Sequence, residues 1–315
     1  MSYPTEVTIT EVCPRDGFQS LPEVIPTEEK VEYINRLIEC GFKQIEVTSF
    51  VHPKAIPQLS DASAVLTKIK RVQGVKFRAL VPNLKGLERA IEANVDKVKL
   101  MLSATDSHSL SNANSKTFEA MKGFEKLVKA AEGSHVHIGG SISVAFGCPY
   151  EGIVPIERHI EICKRYEELG IKDISLADTT GMANPVKIKT LVSRLKSQFP
   201  DFNFSLHLHN TRGMAFANSV AGLEAGIKDF DSAVAGLGGC PYAPNASGNI
   251  ATEDLVHGFQ EMGISTGIDL DNVIKIGHEL REKFREHSNS FILKAGKCSD
   301  LSIAPKEQVK IGELK

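Results

Sequence analysis

The chain has 315 residues, with 42% apolar and 24% charged side chains and a formal net charge of −2. That length buries a large core as one big domain or two smaller ones, and the near-neutral charge gives no electrostatic reason to bind nucleic acid or an anionic membrane. No apolar run approaches the ~20 residues of a membrane span; the start, Met1-Ser-Tyr-Pro-Thr-Glu6, lacks the basic-then-apolar pattern of a secretory signal.

Short β-rich runs alternate with amphipathic stretches along the chain. The first expected strand, Val7–Val12, runs into the polar cluster Glu11-Val-Cys-Pro-Arg15-Asp16-Gly17-Phe-Gln19. A helix over Thr27–Cys40 follows, with Glu28 and Glu29 at the positive end of its dipole. The second strand, Gln44–Thr48, carries Glu46 among apolar residues. An unpaired buried carboxylate is costly, so Glu46 marks a function. Then come a helix at Asp61–Lys70, a strand at Lys76–Val81, a helix at Leu84–Ala93 and a strand at Lys97–Leu102. A helix at Lys116–Glu132, a strand at Gly140–Val144 and a helix at Ile156–Leu169 continue the alternation. The sixth strand, Asp173–Ala177, precedes Asp178-Thr-Thr-Gly181, where Asp178 either caps a helix or orients a catalytic group. After a helix at Val186–Gln198, the strand Phe204–Leu208 leads into His207-Leu-His209-Asn210. A helix at Ala215–Ala225, a strand at Asp231–Ala235 and a helix at Glu253–Glu261 complete the series, and Asp269–His287 reads as one further amphipathic helix.

Eight strands in regular βα alternation predict an α/β fold, a parallel (β/α)8 TIM barrel with a short additional C-terminal helical region. A doubly wound sheet is the alternative, because one misplaced strand spoils the count. The expected organisation is a catalytic barrel over residues 1–263 and a helical extension over 264–315, packed on the barrel or on a partner subunit of a dimeric or tetrameric homo-oligomer. In a barrel the chemistry gathers at the carboxyl ends of the strands. Asp16, Asp178 and the His207/His209 pair fall at such ends, and Glu46 lies within its strand.

Side chains alternate along a strand, so His207 and His209 face the same way. Alone, an H-x-H pair is as compatible with structural histidines as with ligands. Joined by Asp16 and the loop residue Asn249, it offers two nitrogens and two oxygens, a set suited to Mg²⁺ or Mn²⁺. Asn249 closes the run Gly236-Leu-Gly-Gly-Cys240-Pro-Tyr-Ala-Pro-Asn-Ala-Ser-Gly-Asn249. Its glycines and prolines suit a loop that carries Cys240 over a closed site; the plain alternative is a surface turn with an inert thiol. Six scattered cysteines with no C-x-x-C fit reduced thiols in the cytoplasm.

Seven segments together, in order, resemble the 3-hydroxy-3-methylglutaryl-CoA lyases, metal-dependent barrel enzymes of Claisen chemistry. They are PRDGFQ (14–19), IEVTSFVHPKAIPQ (45–58), LVPNLKGLE (80–88), FGCPYEG (146–152), DTTGMANP (178–185), HLHNTRGMAFAN (207–218) and GLGGCPYAPNASGNIATEDLV (236–256). The resemblance implies a carbon–carbon lyase that splits an acyl-CoA thioester into acetyl-CoA and acetoacetate, in leucine degradation and ketone-body formation. It implies Asp16, His207, His209 and Asn249 as ligands of Mg²⁺ or Mn²⁺, Arg15 on the thioester oxygen, and Cys240 as mobile catalytic thiol. Glu46, Asp178 and Gln19 would sit in the inner site. Departures from the family pattern are Asp106, Gly139, Thr180 and Asn210, the last where the family has Asp after H-x-H. They leave a sister lyase for another 3-hydroxy-3-substituted acyl-CoA, or a condensing synthase, as alternatives; a non-catalytic acyl-CoA-binding barrel is a third.

Overall fold

The computed structural model describes residues 3–239 and 248–302. Eight parallel strands close into a barrel in chain order, with β8 pairing back onto β1. The strands are β1 (Thr8–Glu11), β2 (Gln44–Ser49), β3 (Lys76–Leu80), β4 (Lys97–Ser103), β5 (His137–Ser143), β6 (Asp173–Asp178), β7 (Asn203–Leu208) and β8 (Asp229–Ser232). The doubly wound alternative is thereby excluded. Around the barrel run α1 (Thr27–Glu39), α2 (Ala62–Lys68), α3 (Leu84–Glu92), α4 (Asp106–Ala113), α5 (Thr117–Met121), α6 (Phe124–Ala131), α7 (Ile156–Glu168), α8 (Pro185–Gln198), α9 (Ala215–Glu224) and α10 (Thr252–Glu261). Two more helices, α11 (Leu270–Lys283) and α12 (Ile292–Ala295), complete the described chain.

Strand alternation divides the barrel into two environments. Outward residues such as Ile45, Phe77, Val98, Ile142, Leu176, Leu206 and Phe230 are buried under Ile34, Leu66, Leu87, Ile162, Val192 and Phe259 of the helices. Each such side chain contributes about 1.5–3 kcal/mol relative to exposure. Inward residues are largely polar. Cross-strand partners share a face, so the register pairs Glu46↔Arg78 and His207↔Asp231 aim their side chains into the same interior.

Among the boundaries that depart from the sequence reading, four have a plain physical reason. β8 starts at Asp229, two residues early, and ends at Ser232 because Ala235 adopts φ 59°, a left-handed turn that no strand accommodates. The single helix expected over Lys116–Glu132 is two, α5 and α6, broken at Lys122-Gly123. α4 was not expected: its sequence DSHSLSNA carries no apolar stripe, and it ends at Asn114 with φ 51°. The first strand gives way after Glu11 to a π-turn over Cys13–Gly17, with Pro14 in its first positions.

The C-terminal region is stitched to the barrel. α11 packs on α10, α12 and the Val234–Gly236 turn. Arg36 of α1 donates to both carboxylate oxygens of Glu279 at 2.5 and 2.7 Å. Val7 N donates to Ser265 O (3.0 Å), and Asp269 N to Cys40 O (2.9 Å), beneath the strands.

Candidate active site

The π-turn after β1 is what presents the site. It carries Arg15 and Asp16 side by side, and both buried side chains meet partners in the barrel interior. Arg15 Nε donates to Glu46 Oε1, and Arg15 Nη1 to Asp16 Oδ1. Burial alone would lower the Arg15 pKa; Asp16, Glu46 and Asp231 outweigh it and raise it, so the guanidinium stays charged. Gln19, one turn on, donates to Asp16 Oδ1 at 3.2 Å.

Asp16 Oδ2 lies 3.9 Å from Nε2 of both His207 and His209, and the two Nε2 atoms are 3.2 Å apart. His207 Nδ1 is 3.2 Å from Asp231 Oδ2. Asp231 can only accept there, so Nδ1 carries the proton and Nε2 presents its lone pair inward. Burial would raise the Asp16 carboxyl, but Arg15, His207 and His209 prevail and hold it below the ordinary carboxylate range. It is an anion at neutral pH.

Asn249 reaches this cluster from the far side of the Gly-rich loop. Residues 248–250 clip onto β7: Asn210 N donates to Gly248 O at 3.0 Å, and Ile250 N to Leu208 O at 2.9 Å, with His209 and Asn249 bridged. Asn249 Nδ2 donates to Asp16 Oδ2 (2.7 Å) and Leu237 O (3.0 Å). Its Oδ1 is buried with no hydrogen-bond partner among the described residues. Two glycines make this approach possible. A Cβ on Gly238, at φ +119°, would sit 2.3 Å from Asn249 Nδ2 and 3.1 Å from Asp16 Oδ2; one on Gly248 would sit 1.9 Å from Gly236 O.

Asp16, His207 and His209 therefore form a possible metal site among the described residues. The donor chemistry fits a divalent ion: one carboxylate, two imidazoles, and an orphaned amide oxygen beside them. Cys240 lies outside the described residues.

Beneath the cluster is a network that sequence reading missed. Glu46 Oε2 pairs with Arg78 Nε, and lies 3.8 Å from Lys99 Nζ. Arg78 Nη2 and Lys99 Nζ meet the two oxygens of Asp231 at 2.9 and 3.0 Å. Burial opposes ionisation of Glu46 and Asp231, but the three cations Arg15, Arg78 and Lys99 and the His207 ring hold both carboxyls down. Glu46 is thus a fixed anion that holds Arg15, unsuited to exchanging protons near neutrality. The available signal was charge at alternating positions of otherwise apolar strands, as in Lys76-Phe-Arg78 and Lys97-Val-Lys99.

Asp178 is not part of this assembly. It pairs in register with Leu208, on the face opposite His207, whose partner is Ala177. Its Oδ1 accepts from Met182 N (2.8 Å) and Ala183 N (3.0 Å), so it holds the loop after β6. Burial lifts its carboxyl to about 6.

The HMGL-like family model matches residues 6–279. The chain belongs to the HMGL-like family. It is 44% identical over 283 residues to a hydroxymethylglutaryl-CoA lyase of Bacillus subtilis, covering 90% of this chain and 95% of that protein. It is 40% identical over 292 residues to the cytoplasmic 3-hydroxy-3-methylglutaryl-CoA lyase of Rattus norvegicus, covering 93% and 85%. The solved structure of an HMG-CoA lyase from Acinetobacter baumannii, in complex with coenzyme A and 3-methylmalate, superposes with a TM-score of 0.92 at 43% identity, covering 97% of this chain and 100% of that one. The family match thus spans the strands and turns that carry Arg15, Asp16, Glu46, His207 and His209. Among the described residues no helix is long and apolar enough to cross a membrane.

Proposed function

We propose that the chain cleaves 3-hydroxy-3-methylglutaryl-CoA to acetyl-CoA and acetoacetate, using Mg²⁺ or Mn²⁺ held by Asp16, His207, His209 and Asn249. The observation that carries this reading is the meeting of Asp16, His207 and His209 next to a buried, charged Arg15. When bound, the ion supplies Lewis-acid charge to substrate oxygens. Arg15 neutralises the thioester oxygen as it becomes an enolate. Glu46 positions Arg15, and Gln19 and Asn249 orient Asp16. The tertiary hydroxyl gives its proton to solvent water and becomes the ketone of acetoacetate. The adjacent C–C bond breaks and its electron pair passes to the enolate. A proton then returns to the enolate carbon, with Cys240 as its donor. Asp178 shapes the loop after β6 rather than meeting the reacting atoms. Cytoplasmic location belongs to the same proposal, supported by the cytoplasmic enzyme of Rattus norvegicus among the relatives and by free cysteines at 13, 40, 148, 163 and 298; service in leucine degradation and ketone-body formation is proposed from the reaction itself.

Three of the departures from the family pattern, Asp106, Asn210 and Gly139, have structural tasks, which favours the methylglutaryl group over a sister substrate. Asp106 accepts from Thr117 N (3.2 Å) and Arg158 Nη2 (2.8 Å), joining α4, α5 and α7. Asn210 Oδ1 accepts from Ala215 N (3.1 Å) at the start of α9. Gly139 lies near the amino end of β5, where a Cβ would stand 2.9 Å from Lys97 Cε. The test is a panel of 3-hydroxy-3-substituted acyl-CoA thioesters with Mg²⁺, products identified by mass spectrometry. Fastest turnover of the methylglutaryl thioester is expected; a much faster homologue would transfer the assignment to a sister lyase.

A further inference from the structure

A second group of metal-ligating side chains lies on the outside of the fold, away from the barrel mouth. His257 and Glu261 are one helical turn apart on α10 and so share a face. Cys298, from the segment after α12, lies over them with its Sγ 3.4 Å from His257 Nε2. One ligand atom from each of the three residues falls within 4.8 Å of the others. His257 is half-buried, and Glu261 and Cys298 are exposed.

The segment that carries Cys298 is held in place by contacts of its own. Asp254 of α10 accepts from Phe291 N (3.0 Å) and Ile292 N (2.8 Å), fixing the start of α12. Beyond α12, Lys297 N donates to Asp300 Oδ2 at 2.8 Å, and Lys297 Nζ pairs with Asp271 of α11. The thiol is therefore presented to α10 by the fold before any ion arrives. An opening beside the triad is lined by His257, Glu261, Asp269, Asp271 and Lys297, and its three carboxylates outnumber the one ammonium, so its charge favours a cation.

We propose that His257, Glu261 and Cys298 form a zinc site that clasps the C-terminal segment to α10. A thiolate, an imidazole and a carboxylate suit a borderline-soft ion in tetrahedral geometry, with water as the fourth ligand. Mg²⁺ is a hard ion and does not select a set that includes a thiolate. The two sites therefore differ in the metal they prefer. α10 begins at Thr252, three residues beyond Asn249, so the clasp joins the C-terminal segment to the helix that follows the Gly-rich loop.

The test uses the full chain saturated with Mg²⁺ and titrated with Co²⁺ as a spectroscopic stand-in for zinc. A near-ultraviolet thiolate-to-cobalt band is expected to grow to a stoichiometric end point and to be displaced by Zn²⁺. Cys298→Ser should abolish the band, and His257→Ala and Glu261→Gln should weaken cobalt binding by at least about 10–100-fold, the loss that even outer partners of a metal cause. Cys298 is exposed and outside the barrel interior, so turnover with Mg²⁺ alone should be unchanged in Cys298→Ser. Absence of the band in the wild-type chain, or its survival in Cys298→Ser, overturns the proposal.

Discussion

Asp231→Asn removes one charge from the interior of the barrel while keeping the side chain's shape. In the native chain the Asp231 carboxylate meets Arg78 at 2.9 Å, Lys99 at 3.0 Å and His207 Nδ1 at 3.2 Å. An amide there accepts at one atom only and turns its NH2 toward a cation. Breaking a buried ion pair on one side costs about 3–5 kcal/mol, because the partner charges remain buried without compensation. At roughly 2 °C per kcal/mol for a chain of this size, the melting temperature should fall by about 6–10 °C. His207 also loses the acceptor that fixes its tautomer, which should weaken divalent-ion binding by about 10–100-fold. Acid adds a signature. The Asp231 carboxyl is held well below its ordinary range by Arg78, Lys99 and His207 against the cost of burial. Its contribution is present above the unfolded-state pKa and is lost as pH falls through the folded one. The gap between wild type and variant should therefore narrow below about pH 4. Thermal melts over a pH series and calorimetric titration with Mn²⁺ read both effects. A melting temperature within about 1 °C of wild type at neutral pH, with unchanged Mn²⁺ affinity, would refute the role given to this network.

Arg15→Gln should lower turnover by about 10²–10³ while divalent-ion binding persists; near-normal turnover would mean that another group neutralises the enolate. Gly238→Ala should lower divalent-ion affinity at least about tenfold, because its methyl displaces the Asn249 amide. Gly263→Ala, also at positive φ but with nothing within 4 Å, is the control that carries backbone strain alone. Burial raises Glu253 to about 8 and Glu11 to about 7, so the fold prefers both protonated. Their favourable share of stability is complete below about pH 4.5 and is lost as pH rises through 7 and 8. Denaturant titrations of Glu253→Gln should show a shallower loss of stability between about pH 5 and 9 than wild type; identical slopes would count against a buried neutral Glu253.

The barrel was legible because its elements announce themselves locally: β-branched runs of strand length separated by amphipathic helices need no partner to be read. Asp16, His207 and His209 were legible because each lies at a strand end, where a barrel puts its chemistry. Asn249 was reachable only through the loop pattern, and its orientation depends on Gly238 and Gly248 having no side chains. The Arg78–Lys99–Asp231 network was not legible. Lys99 and Asp231 are 132 residues apart in sequence, and only closure of β8 onto β1 and β7 makes their charges complementary. Asp178 was misleading for the opposite reason. Its position after a strand suggests the barrel mouth, but one residue of strand alternation turns it to the outer face. Ala233-Val-Ala235 reads as strand by composition, yet Val234 N and Ala235 N are drawn into a turn by Glu11 at 3.1 Å and Glu253 at 3.1 Å. No local pattern reveals those distant acceptors.

The central claim is a metal-dependent retro-Claisen cleavage through an enolate at the Asp16–His207–His209 cluster. The most direct measurement is turnover of 3-hydroxy-3-methylglutaryl-CoA in D2O, with and without a chelator, followed by mass analysis of the acetyl-CoA formed. With Mg²⁺ present, the account predicts acetoacetate together with acetyl-CoA carrying a single solvent deuterium in its methyl group, and no cleavage once the metal is stripped. Cleavage that persists in excess chelator, or acetyl-CoA without deuterium, would contradict it.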